Sequence, residues 1–140
     1  MKENFETALH LTLEFEGGYS QDPLDPGGET NYGISKKSYP EEDIKNITPD
    51  RVREIYKKDY WDKSGCNGLA SPLDIFVFDA AVNMGITQAV DIVTEAGGDA
   101  CRYQLKRIGH YIEKCKRKPV LRSYLMGWNA RVIRLFTLFG

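Results

Sequence analysis

A single glutamate occupies a position that suits a proton donor. Glu16 ends an apolar helical pattern and is followed at once by Gly17, Gly18 and an aromatic residue. Partial burial against a glycine turn and the negative end of the helix dipole both favour the protonated form of a carboxyl group, which a general acid requires. The ordinary alternative is a helix-end glutamate that interacts only with solvent.

The loop after this glutamate supplies further carboxylates. Asp22 and Asp25 lie within nine residues of Glu16, and the Gly-Gly of DPGGET allows a turn that returns one of them across a cleft. Glycoside hydrolysis uses two facing carboxyl groups, one to protonate the leaving oxygen and one to activate water. Asp before Pro is also ordinary turn chemistry, so both explanations of Asp22 and Asp25 stay open.

Hydroxyl, amide and aromatic groups follow. Thr30 could position a water molecule, while tyrosine rings could pack on sugar rings or serve only the hairpin. An asparagine inside an apolar helix must find hydrogen-bond partners, so Asn83 either braces the loop or lines the cleft. The candidate substrate contacts are Tyr19, Asp22, Asn31, Tyr32, Gly33 and Asn83.

Other chemistries lack their motifs. There is no H-E-x-x-H and no paired C-x-x-C, and His10 and His110 are far apart in the chain, so no metal site is predicted. Glycine-rich nucleotide motifs and the G-x-S-x-G elbow are also missing. We therefore expect an enzyme that needs no cofactor.

Hydrophobic spacing, together with residues typical of turns and helix ends, predicts the elements that position these groups. An amphipathic helix spans 3–16, and turns with short strands occupy 19–35. Thr48 before Pro49 starts a helix to about residue 62, and Ser71 with Asp74 starts a buried central helix that ends at Gly85. The fold class is α+β, mainly α, with one small β-hairpin patch.

The last third is predicted to be helical. Thr87 caps a short helix to residues 97–98, a basic helix runs over 99–118, and a last helix starts near Gly127. In the last helix Trp128, Val132, Leu135 and Phe139 form a stripe with the spacing of a core face, while Arg131 and Arg134 project elsewhere.

Length and composition fit one domain. The chain has 140 residues, 41% of them hydrophobic, and no stretch approaches the roughly 18 apolar residues of a membrane span. The first residues lack the apolar core of a secretory signal, so we expect synthesis in the cytoplasm. Cys66, Cys101 and Cys115 are then expected to be reduced thiols.

Charge is unevenly distributed along the chain. Residues 1–100 carry 9 basic against 19 acidic residues, whereas residues 101–140 carry 10 basic residues against Glu113 alone. This split suggests an anionic partner for the tail, or an attraction between the tail and the acidic body. Nucleic acid is not expected, because the tail has no recognition motif and the body is acidic.

Three blocks of sequence resemble a known family. EFEGGYSQDPLDPGGETNYGIS, IYKKDYW and IFVFDAAVNMG, within residues 5–86, are similar to glycoside hydrolase family 108, the phage and prophage N-acetylmuramidases with a Glu-Gly-Gly-Tyr signature. GWNAR at 127–131 resembles the family's C-terminal peptidoglycan-binding part, whereas AVDIVTEAGGDACRYQL departs from the family pattern.

The resemblance implies a lysozyme-like fold in which Glu16 is the catalytic acid. By analogy with phage-type lysozymes, Asp25 and Thr30 complete an acid, carboxylate and threonine set. A single domain over 1–140 is expected, with a catalytic part at 1–86 and a basic, peptidoglycan-binding part at 87–140. The expected partner is peptidoglycan, with an anionic wall or membrane surface as a further partner for 101–140.

The expected activity is hydrolysis of the β-1,4 bond between N-acetylmuramic acid and N-acetylglucosamine by a monomeric phage endolysin. Such an enzyme is made in the host cytoplasm and reaches the wall after holin-type release. The alternative is a lysozyme-like protein that binds the cell wall without catalysis.

Overall fold

The computed structural model describes residues 2–24 and 26–140. Asp25 lies outside the described residues. The principal elements are α1 (Lys2–Glu16), β1 (Ser20–Gln21), β2 (Glu29–Asn31), β3 (Ile34–Ser35), α2 (Pro49–Tyr56), α3 (Leu73–Met84), α4 (Ile86–Ala96), α5 (Ala100–Arg117) and α6 (Arg122–Phe139). A π-helical segment, Lys57–Asp62, continues α2, and 3₁₀ turns cover Cys66–Gly68 and Pro119–Leu121. The architecture is α+β and mainly α, as the sequence predicts.

The central helix α3 organises the core. Its residues from Leu73 to Ala81 are buried, which explains why its sequence is apolar nearly all round. It packs against α1, α4 and α5. Phe5 of α1 meets Trp61 and Phe78 edge to face, with ring centroids 5.4 and 5.7 Å away. This packing fixes the first turn of α1, and a hydrogen bond from Thr12 to Asp79 at 3.0 Å joins its later part to α3.

The β region of the described chain is a three-stranded antiparallel sheet in the order β1-β2-β3, one strand more than the predicted hairpin patch. Thr30 on the middle strand faces Ser20 and Ser35 across the two ladders. The β2–β3 turn has positive φ angles at Tyr32 (51°) and Gly33 (76°). A two-residue turn of this kind closes tightly and matches the strand twist.

Two predicted helix starts are confirmed. Thr48 Oγ1 accepts a hydrogen bond from the Arg51 amide at 3.2 Å, and Asp99 Oδ1 accepts one from the Arg102 amide at 2.7 Å. Each bond satisfies an amide that the first helical turn leaves without a backbone partner. The helical run that begins at Pro49 ends at Asp62, as expected.

Three other predicted starts are wrong. No side-chain cap precedes α3, because Asp74 accepts from Asn4 of α1 at 2.9 Å instead of completing a box with Ser71. Helix α4 begins before Thr87, also without a side-chain cap. Helix α6 begins at Arg122 and includes Gly127, since its packing outweighs the cost of about 1 kcal/mol for an interior glycine.

The predicted stripe on the last helix is core. Val132 and Leu135 are buried, Phe139 packs against the core, and Trp128 stacks on Tyr111 of α5 with centroids 4.9 Å apart. Arg131 is buried too, contrary to the expectation that it projects away from the core. Among the described residues, no helix is both long and apolar enough to cross a membrane.

Candidate active site

Glu16 lies at the end of α1, directly against the turn between β2 and β3. Its side chain is 21% exposed. A methyl group added at Gly33 would lie 2.9 Å from both Glu16 Cβ and Glu16 Oε2, closer than real Cβ contacts. The turn therefore reaches the carboxylate only because residue 33 is glycine. This contact disfavours the alternative of a glutamate that meets only solvent.

Tyr56 of α2 holds the same turn from the other side. Its hydroxyl donates to the Tyr32 carbonyl at 2.6 Å, and a Cβ at Gly33 would lie 2.6 Å from that hydroxyl oxygen. Burial and the negative charge of Glu16 raise the pKa of Tyr56, so the hydroxyl stays a neutral donor. Glu16, Tyr32, Gly33 and Tyr56 thus form one contiguous cluster.

Arg131 of α6 anchors one oxygen of the carboxylate. Its Nη1 donates to Glu16 Oε1 at 2.9 Å, and its guanidinium lies over the Phe15 ring at 4.8 Å from the centroid. The two oxygens therefore differ: Oε1 is held by Arg131, and Oε2 faces the turn.

Asp79 of α3 fixes Arg131 in turn. Arg131 Nε lies 2.9 and 3.0 Å from the two oxygens of Asp79, Arg107 Nη2 donates to Asp79 Oδ2 at 2.7 Å, and Thr12 Oγ1 donates to Oδ1 at 3.0 Å. Burial acts to raise the pKa of Asp79, but the two guanidinium groups outweigh it and hold the pKa below its usual value. Asp79, Arg107, Arg131 and Thr12 therefore form a buried cluster, which supports Glu16 through Arg131.

The sequence analysis did not predict this buried cluster, although the sequence contains a signal for it. Asp79 is an acid within the apolar run IFVFDAAVNMG, and a buried carboxylate must find a cation. The surplus of cations lies in residues 101–140, and Arg107 and Arg131 both come from there. Arg134 of the same segment pairs with Glu14 at 2.6 Å. Attraction between the tail and the acidic body thus accounts for part of the charge split.

Asn83 belongs to the same hydrogen-bonded cluster, and within the described residues its hydrogen bond goes to α5 and not to the loop. Its Oδ1 accepts a short hydrogen bond from the Tyr111 hydroxyl, and that hydroxyl accepts from Arg107 Nε at 2.9 Å. Asn83 therefore joins α3 to α5. Its proposed contact with substrate stays a prediction.

The candidate residues of the first loop are engaged in local structure. Asp22 Oδ1 accepts from the Leu24 amide at 2.9 Å, which is the turn chemistry considered for an Asp before Pro. The Tyr19 hydroxyl, at the exposed edge, donates to Glu29 at 2.8 Å, and this hydrogen bond raises the pKa of Tyr19. Asp25 lies outside the described residues, so its role stays a prediction.

Two candidates on the middle strand have different surroundings. Thr30 is half-buried, and its hydroxyl lies 3.4 Å from the Gly28 carbonyl, a long hydrogen bond that leaves the hydroxyl oxygen able to accept. Asn31 is buried, and its amide nitrogen donates to the Ile44 carbonyl at 3.1 Å. Asn31 thereby ties the sheet to the segment that follows it, while Thr30 stays a candidate for positioning water.

No group of three or more His, Cys, Asp or Glu side chains in the described part of the chain is arranged to hold a metal ion. His110 instead lies 3.1 Å from Gln88 and 3.0 Å from a Glu95 oxygen, on the α4–α5 side of the molecule. The groups that lie against Glu16 are the guanidinium of Arg131 and the turn at Gly33, which the Tyr56 hydroxyl holds.

A helix-end glutamate that faces a small antiparallel sheet in a mainly helical domain defines a lysozyme-like class of protein. Residues 9–85, more than half of the chain, match the family model described as Glycosyl hydrolase 108, and the chain belongs to that family. Membership makes it a glycosidase and supports a lysozyme-like, peptidoglycan-hydrolase function.

The fold has a solved counterpart. The structure of SagA from Brucella abortus superimposes with a TM-score of 0.78 at 24% sequence identity, covering 96% of this chain and 92% of that one. The likeness therefore includes α5 and α6, which lie beyond the family match. No curated protein sequence matches the chain.

Proposed function

We propose that the protein is an N-acetylmuramidase that hydrolyses the β-1,4 bond between N-acetylmuramic acid and N-acetylglucosamine in peptidoglycan. One observation carries the proposal: Glu16 is fixed through Oε1 by Arg131, while Oε2 points to the tip of the sheet at Gly33. A carboxyl group held by one oxygen keeps the other in a defined place for proton transfer.

In the proposed reaction Glu16 Oε2 delivers its proton to the glycosidic oxygen. The bond between that oxygen and the anomeric carbon breaks, and positive charge develops on the sugar ring. A water molecule attacks the anomeric carbon and passes a proton to a base. Asp25 is the proposed base, and Thr30 on the middle strand the proposed group that positions the water. A separation of about 6.5 to 9.5 Å between the two carboxyl groups would give inversion.

The biological setting proposed is lysis of a bacterial host by a phage. The enzyme is made in the host cytoplasm and reaches the wall after holin-type release. A monomer suffices for this role, because the proposed acid and its supporting cations come from one chain. The cations of residues 101–140 support binding to an anionic wall, since peptidoglycan stem peptides carry carboxylates.

Substitution of the acid tests the proposal. Glu16→Gln should lower the release of reducing ends from purified sacculi by about 100-fold to 10,000-fold, the usual contribution of a general acid. The carbonyl of the new amide side chain can still accept from Arg131, so the thermal midpoint should change little. Glu14→Gln is the matched control, because Glu14 is a half-exposed carboxylate on the same helix turn that pairs with Arg134. Retained activity in Glu16→Gln would remove this residue from the role of acid.

Mass analysis of the released muropeptides tests the bond. A muramidase leaves N-acetylmuramic acid at the new reducing end. A reducing N-acetylglucosamine end would identify a glucosaminidase and contradict the proposal.

The second candidate is a lysozyme-like protein that binds the wall without cleaving it. The contact between Arg131 and Glu16 favours this candidate, because a salt bridge of this kind also suits a purely structural glutamate. Co-sedimentation with sacculi, with no increase in reducing ends at any pH, would establish it over the muramidase.

A further inference from the structure

Part of the basic tail has no acidic partner within the described residues. Arg107 and Arg131 pair with Asp79, Arg134 pairs with Glu14, and Lys116 pairs with Glu113. The remaining cations of this segment are Arg102, Lys106, Lys114, Arg117, Lys118 and Arg122, for which the described structure holds no ion pair. Attraction to the acidic body therefore leaves these charges unexplained.

Arg117, Lys118 and Arg122 lie together where the antiparallel pair α5 and α6 turns over. Residues 116–120 are all exposed, and Arg122 is exposed as well. Cations in the last turn of α5 suit the helix dipole, but Lys118 and Arg122 lie beyond the end of that helix. Three exposed cations within six residues of the chain thus occupy this end of the molecule.

Large apolar side chains share the same corner. Val120 is 80% exposed, Met126 is 85% exposed and Tyr124 is 59% exposed. We name residues 117–126 the α5–α6 corner. Scattered single apolar residues are ordinary on a protein surface, but here three of them stand among unpaired cations. A partner for this corner must be both anionic and able to bury apolar groups.

We propose that the α5–α6 corner docks on the surface of an anionic phospholipid bilayer. Lipid headgroups would neutralise Lys118 and Arg122, and the interfacial region would take up the side chains of Val120 and Met126. A hydrated polyanion could neutralise the cations, but it has no apolar region in which these side chains could be buried. This inference goes beyond the proposed hydrolase function and does not depend on it, because docking requires no catalysis.

Vesicle co-sedimentation of the full chain tests the proposal. The protein should bind vesicles of phosphatidylcholine with one quarter phosphatidylglycerol, and should not bind pure phosphatidylcholine. Lys118→Gln/Arg122→Gln should weaken binding to the anionic vesicles about 30-fold, since each basic residue near such a surface contributes about 1 kcal/mol. Val120→Ser/Met126→Ser, which keeps the charge, should weaken it about tenfold.

The matched control is Arg102→Gln/Lys106→Gln, which removes the same charge from the other end of α5. Lys106 precedes Lys118 by twelve residues, about 18 Å along a helix and well beyond the Debye length of about 8 Å at physiological salt. This control should bind anionic vesicles within about threefold of the original chain.

Three results would overturn the proposal. The first is no binding to anionic vesicles, or equal binding to both lipid compositions. The second is an equal loss of binding in Arg102→Gln/Lys106→Gln and Lys118→Gln/Arg122→Gln, which would indicate net charge and not this corner. The third is binding of purified sacculi that depends on the corner while lipid binding does not, which would make it a wall contact.

Discussion

Replacement of Arg131 by methionine tests whether the buried charge cluster supports the candidate acid. Methionine is unbranched and has a helix propensity close to that of arginine, so α6 should persist. The change removes Nε contacts of 2.9 and 3.0 Å to Asp79 and the 2.9 Å contact to Glu16. Asp79 would then keep Arg107 as its one remaining cationic partner among the described residues.

The expected cost follows from burial. Removal of one member of a buried ion pair costs about 3 to 5 kcal/mol, because the other charge stays buried with less compensation. For a domain of this length that corresponds to a fall of roughly 10 to 20 °C in the thermal midpoint. Arg134→Met is the matched control: Arg134 lies one turn away on α6, and its pair with Glu14 is half-exposed. The control should cost at most about 1 kcal/mol.

Urea unfolding followed by far-ultraviolet circular dichroism measures these costs at pH 7. Hydrolysis of sacculi, measured at a temperature where Arg131→Met is still folded, measures positioning. We expect activity to fall by about 100-fold in Arg131→Met, because Oε1 of Glu16 loses its anchor, and to be retained in Arg134→Met. Equal unfolding midpoints in the two variants would refute the energetic reasoning. Full activity in folded Arg131→Met would refute the positioning role.

Three further predictions concern the turn, the buried acid and the thiols. Gly33→Ala should lose activity at least tenfold in the sacculus assay, whereas Gly28→Ala, which has a similar φ of 69° but no atom within 4 Å of the new Cβ, should retain it. Since the pKa of Asp79 is lower in the folded chain than its unfolded value of about 3.9, its stabilisation is complete near neutral pH and is lost as pH falls below about 4. Urea midpoints between pH 6 and pH 3 should therefore fall more steeply for the original chain than for Asp79→Asn. Burial raises the pKa of Cys66 to about 12, so a thiol reagent should modify exposed Cys101 quickly and Cys66 only on unfolding; rapid modification of a Cys101→Ser variant would contradict this.

Local signals predicted most of the elements, since side chains one or two turns apart control them. Thr48 and Asp99 cap the helices that they were expected to start, because each cap is satisfied within its own first turn. Ser71 was a wrong cap for a tertiary reason: Asp74, the expected partner of its capping box, binds Asn4 of α1. Gly127 was a wrong boundary because α6 runs through it from Arg122, and the stacking of Trp128 on Tyr111 packs this part of the helix against α5.

The candidate site was only half predictable. Glu16 and the Gly33 turn are close in sequence, and the glycines around them indicate sharp turns, so their proximity could be inferred. Arg131 is separated from Glu16 by 115 positions, and periodicity places it merely off the apolar stripe of α6. Such a pairing depends on how α3, α5 and α6 pack, and one sequence does not encode that packing in any local pattern.

The buried contacts of Asp79 set a limit on how the chain can be divided. Asp79 lies inside the family match at residues 9–85, yet Arg107 and Arg131 both lie downstream of it. A fragment that ends at residue 85 or 86 would lack both cations, and the carboxylate of Asp79 would be left unpaired in an apolar interior. We expect such a fragment not to form an ordered fold. Chimeric proteins built from this sequence should therefore exchange the helix that carries Glu16, the sheet, α3 and the last two helices together.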